Sequence, residues 1–149
     1  MHIDTSRFGS IEVDPDQVLT FTRGLVGFAE LHRFVLIQEE CNQQFLWLQS
    51  LDDAEVAFLV TDPTPFFRGY SAGIREETVQ ELDLADERDR RLLAICNKVG
   101  DWLTANLLGP IVINQKLRLA QQIVLTEKKW MTRQPLAKLV AERRLAKAA

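Results

Sequence analysis

Alternation of apolar and polar residues with a period of two dominates the chain, which predicts a protein built mainly of β-strands. Strands near 8–13 and 17–21 are predicted to pair as a hairpin, because Asp14-Pro15-Asp16 between them is typical of a turn. A continuous apolar run over 56–61 predicts a strand buried on both faces. The other predicted strands, all rich in branched aliphatic or aromatic residues, are 33–38, 44–50, 91–99, 103–106, 110–114 and 119–126.

Two segments depart from this pattern and predict helices. Residues 76–84 are strongly acidic, and Val79 and Leu82 at helical spacing predict a short exposed helix. The end of the chain is rich in Ala, Leu, Lys, Arg and Glu, with Leu136 and Leu139 at helical spacing. The expected organisation is therefore a β domain over 1–135 followed by a basic helical tail over 136–149.

Charge is distributed unevenly along the 149 residues, although the formal net charge is only −3. Residues 127–149 hold seven basic and two acidic side chains, a net charge of +5, which leaves −8 for the rest. An acidic body argues against a dedicated nucleic-acid binder, which needs a basic surplus for phosphate contacts. No apolar run approaches the length of about 20 residues that a membrane helix requires. The N-terminal segment also lacks the pattern of a signal peptide, which predicts a cytoplasmic protein without membrane contact.

The residues that usually carry chemistry do not form a recognisable constellation. Cys41 and Cys96 are far apart in sequence and are expected to be reduced packing residues, while His2 and His32 lack metal-ligand spacing. Paired carboxylates occur at 39–40 and 52–53, where solvated turns are the expected role. We therefore expect no catalytic residues, no metal and no cofactor. A small β-barrel enzyme that uses loop carboxylates remains the alternative.

Signals for nucleic-acid binding are weak, and those for protein recognition are stronger. The segment Gly24-Leu25-Val26-Gly27 has the G-x-x-G spacing of a KH loop, but a strand precedes it and only Arg23 beside it is basic. An RNA-binding module that uses Arg23 and the basic tail remains a second alternative. The rings of Phe66, Phe67 and Tyr70 follow two prolines, where strand pairing has ended, and either reach the surface or close the core.

Across residues 3–136 the chain resembles the flagellar assembly factor FliW family, through motifs whose order and spacing both match. The first are Ile3-Asp4-Thr5 with Phe8-Gly9, then the segment from Phe21 to Phe28 (FTRGLVGF) and Phe34-Val35-Leu36. The middle of the chain contributes the segment from Phe45 to Ser50 (FLWLQS), then Ala57 to Pro63 (AFLVTDP), Phe66-Phe67 and Tyr70. The last are Thr104 to Leu107 (TANL), Gly109 to Asn114 (GPIVIN) and Gln122 to Leu125 (QIVL).

This resemblance implies a small single-domain β pseudo-barrel of mixed and antiparallel strands without catalytic activity. It implies a cytoplasmic protein that binds newly made flagellin and antagonises the translational repressor CsrA, the two partners being alternatives. No direct nucleic-acid contact is expected, and we expect a monomer when no partner is bound. The motif positions carried over as protein-binding residues are Asp62, Pro63, Phe66, Phe67, Tyr70, Asn106, Pro110 and Asn114.

The chain departs from the family pattern near its tyrosine. Acidic residues expected around that position are replaced by Gly69-Tyr70-Ser71-Ala72-Gly73. The negative charge expected to bind the repressor therefore moves to residues 76–89, or binding of the repressor is weak in this chain.

Overall fold

A computed structural model describes residues 1–127 and 129–139 of the chain, which form eleven strands and one short α-helix. The helix α1 is Glu76–Glu81, within the segment predicted to be helical. The strands, numbered β1 to β11 in chain order, are His2–Thr5, Gly9–Glu12, Leu19–Phe21, Arg33–Gln38, Phe45–Ser50, Ala57–Thr61, Arg90–Val99, Trp102–Ala105, Ile111–Asn114, Leu119–Gln122 and Gln134–Lys138. Among these described residues, no helix is long and apolar enough to cross a membrane.

Seven strands close into a barrel, which confirms the mainly β fold. Strands β3 to β7 pair in sequence order, β3 pairs with β10, β10 with β9, and β9 with β7. The β3–β10 pair is parallel, whereas the other pairs in the barrel are antiparallel. Strand β7 spans ten residues because it serves two partners: Arg90–Leu93 pair with β9, and Cys96–Val99 pair with β8.

The barrel interior is filled by every second residue of its strands, as the period of two requires. Apolar side chains from all seven strands form one buried cluster, in which the rings of Phe21 and Phe34 meet edge to face at 5.0 Å. The remaining buried members of this cluster are Leu19, Leu25, Leu31, Leu48, Val60, Leu93, Ile111, Ile113 and Ala120.

The outer face of the barrel is covered by three separate layers. The β1–β2 hairpin lies over β5, where the Arg7 guanidinium stacks on Trp47 with its Cζ atom 4.0 Å from the ring centre. A second cluster buries the outer residues of β5, β6 and β7 beneath β8, β11 and the segment 66–72. A third cluster packs Leu82 and Leu84, just after α1, against Val112 of β9. These coverings explain why strand 56–61, as predicted, meets apolar contacts on both faces.

One end of the barrel is closed by the loop that follows β3. Leu25 in this loop is almost fully buried among the interior residues, and Phe28 contacts Phe58 edge to face at 5.3 Å. Gly24 has a φ of +69°, and a Cβ atom there would lie only 2.6 Å from the carbonyl oxygen of Ala29. The turn therefore needs glycine both for its backbone conformation and for space.

The predicted pairing of the first strands is wrong, because β2 pairs with β1, a strand the alternation did not reveal. The Asp14-Pro15-Asp16 segment does break the chain, but it leads into a short 3-10 helix at Pro15–Gln17. The following strand, β3, then pairs with β4 and β10.

The predicted helix at the chain end is wrong where the structure describes it. Gln134–Lys138 form β11, an edge strand that pairs antiparallel with β8 despite the helix-favouring composition. Leu136 and Leu139 pack against the second cluster, so tertiary burial outweighs local helix preference. The rest of the proposed tail, 140–149, lies outside the described residues, and the division into a domain and a tail stays a prediction.

We predict that Gly24→Ala destabilises the fold by about 2 kcal/mol or more, because the variant combines left-handed strain with a clash against Ala29. The matched control is Gly27→Ala, whose φ is +86° but whose Cβ would meet nothing within 4 Å. That variant should lose only about 1 kcal/mol of backbone strain. Urea unfolding followed by tryptophan fluorescence compares the two free energies of unfolding. Equal losses of unfolding free energy in the two variants would show that the contact with Ala29 does not contribute to the destabilisation.

Candidate functional site

At the end of the barrel that the loop after β3 closes, the surface has an apolar depression, which we call the barrel mouth. It holds a cavity of about 270 Å³ whose walls are mainly apolar. Val26 and Val124 on its rim are 70% and 62% exposed, the highest values for large hydrophobic residues in the described part of the chain. The residues that line it are Leu25, Val26, Phe58, Ile95, Asn106, Leu108, Gly109, Gln122, Val124 and Thr132.

Two amide side chains fix the rim of the barrel mouth. Gln122 accepts a hydrogen bond from the Val26 N–H at 2.9 Å and donates one to the Gly109 carbonyl at 2.9 Å. It therefore ties the loop after β3 to the loop after β8. The Asn106 side-chain oxygen accepts a hydrogen bond from the Gly109 N–H at 2.9 Å, and the Asn106 backbone N–H donates to the Ile95 carbonyl at 2.8 Å. The apolar rim is consequently held in place by hydrogen bonds within the chain.

An aromatic cluster adjoins the barrel mouth and closes the second cluster of the core. Trp130 contacts Tyr70 edge to face at 5.1 Å and Phe67 at 6.2 Å. The Tyr70 hydroxyl donates to the Leu107 carbonyl at 2.7 Å, and the Leu107 backbone N–H donates to the Met131 carbonyl at 3.1 Å. Burial of the Tyr70 phenol raises its pKa to about 12. Phe66 and Phe67 are half-buried, so these rings both close the core and reach the surface.

The motif positions carried over from the family thus have different surroundings. Among them, Asp62 is exposed and Asn106 is half-buried at the barrel mouth. Pro63 and Pro110 are buried beside the second cluster and at the start of β9. Asn114 is buried at the far end of β9, where its amide donates to the carbonyls of Leu82 and Asp83 at 2.8 and 2.9 Å. These buried residues have clear structural roles, and a role in binding stays a prediction for every member of the set.

A second cleft lies between α1 and β10, and we call it the α1 cleft. It has a volume of about 170 Å³ and shares Gln122 and Val124 with the barrel mouth. Charged residues of both signs line it, and the guanidinium of Arg23 is bound to the Glu81 carboxylate across it. Exposed carboxylates begin in the cleft and continue along α1 to residue 87, and we call them the acidic face: Glu76, Glu77, Glu81, Asp83, Asp86 and Glu87.

Two uncharged polar side chains of the α1 cleft differ in how far their polar atoms are buried. Gln121, on the outer face of β10, is only 8% exposed, and its Oε1 atom is fully buried without a donor. Thr78 of α1 is also 8% exposed as a residue, but its hydroxyl is not one of the fully buried polar atoms. Leaving such a buried amide group unpaired costs about 1–3 kcal/mol.

Asp52, one of the paired carboxylates seen in the sequence, stabilises a turn and forms an ion pair. Asp52 accepts hydrogen bonds from the backbone N–H groups of His32 and Arg33 and pairs with the Arg33 side chain at 2.9 Å. Partial burial acts to raise the pKa of Asp52, but these hydrogen bonds and the guanidinium charge outweigh it and hold the pKa below its usual value. In residues 1–127 and 129–139 no group of three or more His, Cys, Asp and Glu residues could hold a metal ion.

Both cysteines are free thiols, but only one of them packs in the core. Cys96 on β7 is buried, and burial raises its pKa to about 12. Cys41 is exposed in the loop between β4 and β5, so the expectation that it packs in the core is wrong.

Sequence reasoning missed two residues that make the rim of the barrel mouth apolar, namely Val26 and Val124. Each lies in or beside a motif that was recognised, but their exposure depends on which strands come together at the mouth. Val124 was expected within a strand over 119–126, whereas β10 ends at Gln122. The position of Val26 between two glycines was the available signal, because such a loop presents a side chain outward.

Fold and surface together define a small closed β-barrel with a preformed apolar mouth beside an acidic face, a design suited to protein recognition. The family model described as FliW protein matches residues 2–136. The flagellar assembly factor FliW of Moorella thermoacetica is 40% identical over 141 residues, covering 93% of this chain and 89% of the relative. That of Treponema pallidum is 35% identical over 146 residues and covers 97% of both chains.

A solved structure supports the same assignment. The crystal structure of a flagellar assembly factor FliW superposes with a TM-score of 0.84 at 34% identity, covering 91% of this chain and 96% of that one. The chain belongs to the FliW family.

We predict that Tyr70 titrates with a midpoint near pH 12 in the folded protein and near pH 10 when unfolded. It is the only tyrosine of the chain, so tyrosinate absorbance reports it alone. Because the folded pKa is the higher one, the stability associated with the neutral phenol is complete below pH 10 and is lost as the pH rises towards 12.

The variant Tyr70→Phe should lose about 1 kcal/mol at neutral pH, the contribution of its hydrogen bond to Leu107. Between pH 10 and 12 its stability should fall less steeply than that of the parent chain. A native titration midpoint near pH 10 would show that the phenol is not buried.

Proposed function

We propose that this protein is a non-enzymatic flagellar assembly factor that acts in the cytoplasm. It binds flagellin in the manner of a chaperone, and it binds and antagonises the translational repressor CsrA when flagellin is scarce. The observation that carries the proposal is a preformed apolar mouth beside an acidic face on a FliW-family barrel.

The barrel mouth suits flagellin before assembly. A partner whose segments are disordered must lose conformational entropy on binding, and burial of apolar surface supplies the compensating free energy. Val26 and Val124 offer that surface, and the hydrogen bonds of Gln122 and Asn106 hold the rim in position. A preformed rim lowers the ordering cost on this side of the complex.

The acidic face suits CsrA, because an RNA-binding repressor carries basic residues for its own phosphate contacts. The exposed carboxylates that follow Arg75 replace the negative charge that is missing around Tyr70. Complementary charge increases the association rate and excludes wrong partners more than it raises affinity.

Exchange between the two partners follows from the position of the two surfaces. The acidic face reaches the α1 cleft at Glu77 and Glu81, and this cleft shares Gln122 and Val124 with the barrel mouth, so a large partner on the mouth covers the edge of the acidic face. A switch of this kind requires only a difference in affinity, and each 1.4 kcal/mol changes the ratio tenfold.

The direct experiment adds flagellin to a preformed complex of this chain with CsrA and follows the species by size-exclusion chromatography with light scattering. We expect flagellin to release free CsrA and to form a binary complex with the chain. A stable assembly of all three proteins would overturn the exchange, and no complex with either protein would overturn the proposed function.

We predict that Val124→Ser weakens flagellin binding about tenfold, because it removes apolar surface from the rim of the barrel mouth. The matched control is Leu117→Ser, on the β9–β10 turn at the opposite end of those strands, where the leucine is 47% exposed. Isothermal titration calorimetry with purified flagellin measures both variants. Equal affinities for the two variants would place flagellin elsewhere.

We predict that Glu76→Lys slows association with CsrA about tenfold at low salt, with a smaller effect at high salt. Glu76 is exposed at the start of α1 and takes part in no ion pair with another described residue. Glu55→Lys makes the same charge change on the exposed turn between β5 and β6 and should have little effect. Stopped-flow fluorescence at two salt concentrations gives the rates, and identical rates for both variants would contradict a role for the acidic face.

A further inference from the structure

We propose that the α1 cleft is a clamp for the backbone of an extended polypeptide segment, with Gln121 as its central hydrogen-bonding group. The inference deepens the proposed function, on which it rests, by extending the flagellin-binding surface from the barrel mouth into this cleft. In residues 1–127 and 129–139, no group donates a hydrogen bond to the side-chain oxygen of Gln121.

Gln121 lies among apolar neighbours. On the outer face of β10, its neighbours at i−2 and i+2 are Leu119 and Ile123, and both belong to the apolar cluster beneath α1. An apolar residue at 121 would complete that cluster. The chain instead places a carboxamide there, 8% exposed, with its oxygen buried and no described group bonded to it.

A second, independent group points to the same ligand chemistry. Thr78 lines the same cleft from α1, and its hydroxyl, unlike the Gln121 oxygen, is not a buried atom without a partner, so it is accessible from the cleft. A carboxamide offers one acceptor and two donors, and a hydroxyl can both donate and accept. Together they match a peptide group, which presents one N–H and one C=O.

The charges of the cleft favour a neutral ligand over an anionic one. Its lining contains Arg23 and Arg75, balanced by Glu77 and Glu81, and the Arg23 guanidinium is already bound to Glu81. A phosphate or nucleic-acid site would need a surplus of positive charge. A polypeptide backbone has no such requirement.

The position of the cleft beside the barrel mouth indicates a flagellin segment as its ligand. Gln122 and Val124 line both the cleft and the barrel mouth, so a flagellin segment bound at the mouth continues directly into the cleft. The mouth then takes apolar side chains of that segment, and Gln121 and Thr78 bind its backbone. This combination gives affinity that depends little on the exact sequence of the segment in the cleft.

The test compares the full chain with Gln121→Met, which keeps the length of the side chain and removes the groups that could donate or accept a hydrogen bond. Flagellin affinity should fall about tenfold by calorimetry, whereas thermal stability should stay equal or rise, because a buried unpaired amide has been removed. The matched control is Gln80→Met on the exposed side of α1, which should change neither. Thr78→Val should weaken flagellin binding in the same direction as Gln121→Met.

The outcomes separate this inference from the proposed function. If the parent chain binds flagellin and Gln121→Met binds equally well, the clamp is wrong and the proposed function stands. A loss of both stability and affinity in Gln121→Met would show a structural role for Gln121, which also overturns the clamp. If the parent chain does not bind flagellin, the proposed function itself fails.

Discussion

The fold depends on the double pairing of β7. Its first four residues pair with β9 and its last four with β8, and β6 occupies the opposite edge. Strands β8 and β9 must therefore separate where β7 passes from one partner to the other. Residues 106–110 span this separation, anchored by the hydrogen bond from the Asn106 N–H to Ile95. Closure of the barrel and formation of its mouth are thus consequences of the same pairing.

The mouth remains apolar and open because side chains at its rim, rather than a covering segment, supply hydrogen bonds to the nearby backbone. Gln122 bonds to the loops on either side, and Asn106 bonds within its own loop. Leu25 fills the barrel interior below, while Val26, the next residue, points to solvent. The barrel thus retains exposed apolar surface at a rim that its own hydrogen bonds hold in place.

The sequence predicted the strand content well, because interior and exterior residues alternate along each barrel strand. Strands at 33–38 and 44–50, predicted from their branched and aromatic residues, and at 56–61, predicted from a continuous apolar run, lie close to their predicted positions. Pairing was harder to predict: β3 meets β10 about a hundred residues away, and no local signal specifies that contact. Strand β11 was missed because Ala, Leu and Lys favour a helix, whereas burial of Leu136 against the second cluster favours a strand.

The candidate site was only partly within reach of the sequence. Motif resemblance led to Asn106 and to the aromatic cluster around Tyr70, both of which adjoin the barrel mouth. The resemblance could not distinguish buried residues that support the site from residues exposed at it, since both kinds occur in the motifs. The exposed valines and the unpaired Gln121 became evident only once burial and hydrogen bonding were known, because either residue type is ordinary in a strand.

The most direct test of the account is amide hydrogen exchange, measured by mass spectrometry on the full chain alone and saturated with flagellin. We expect slower exchange in the complex for residues 24–28, 106–109 and 122–124, which form the barrel mouth, and no change in the β9–β10 turn at 115–118. Protection confined to that turn or to the β1–β2 hairpin, with the mouth unchanged, would contradict the central claim that the barrel mouth is the binding surface.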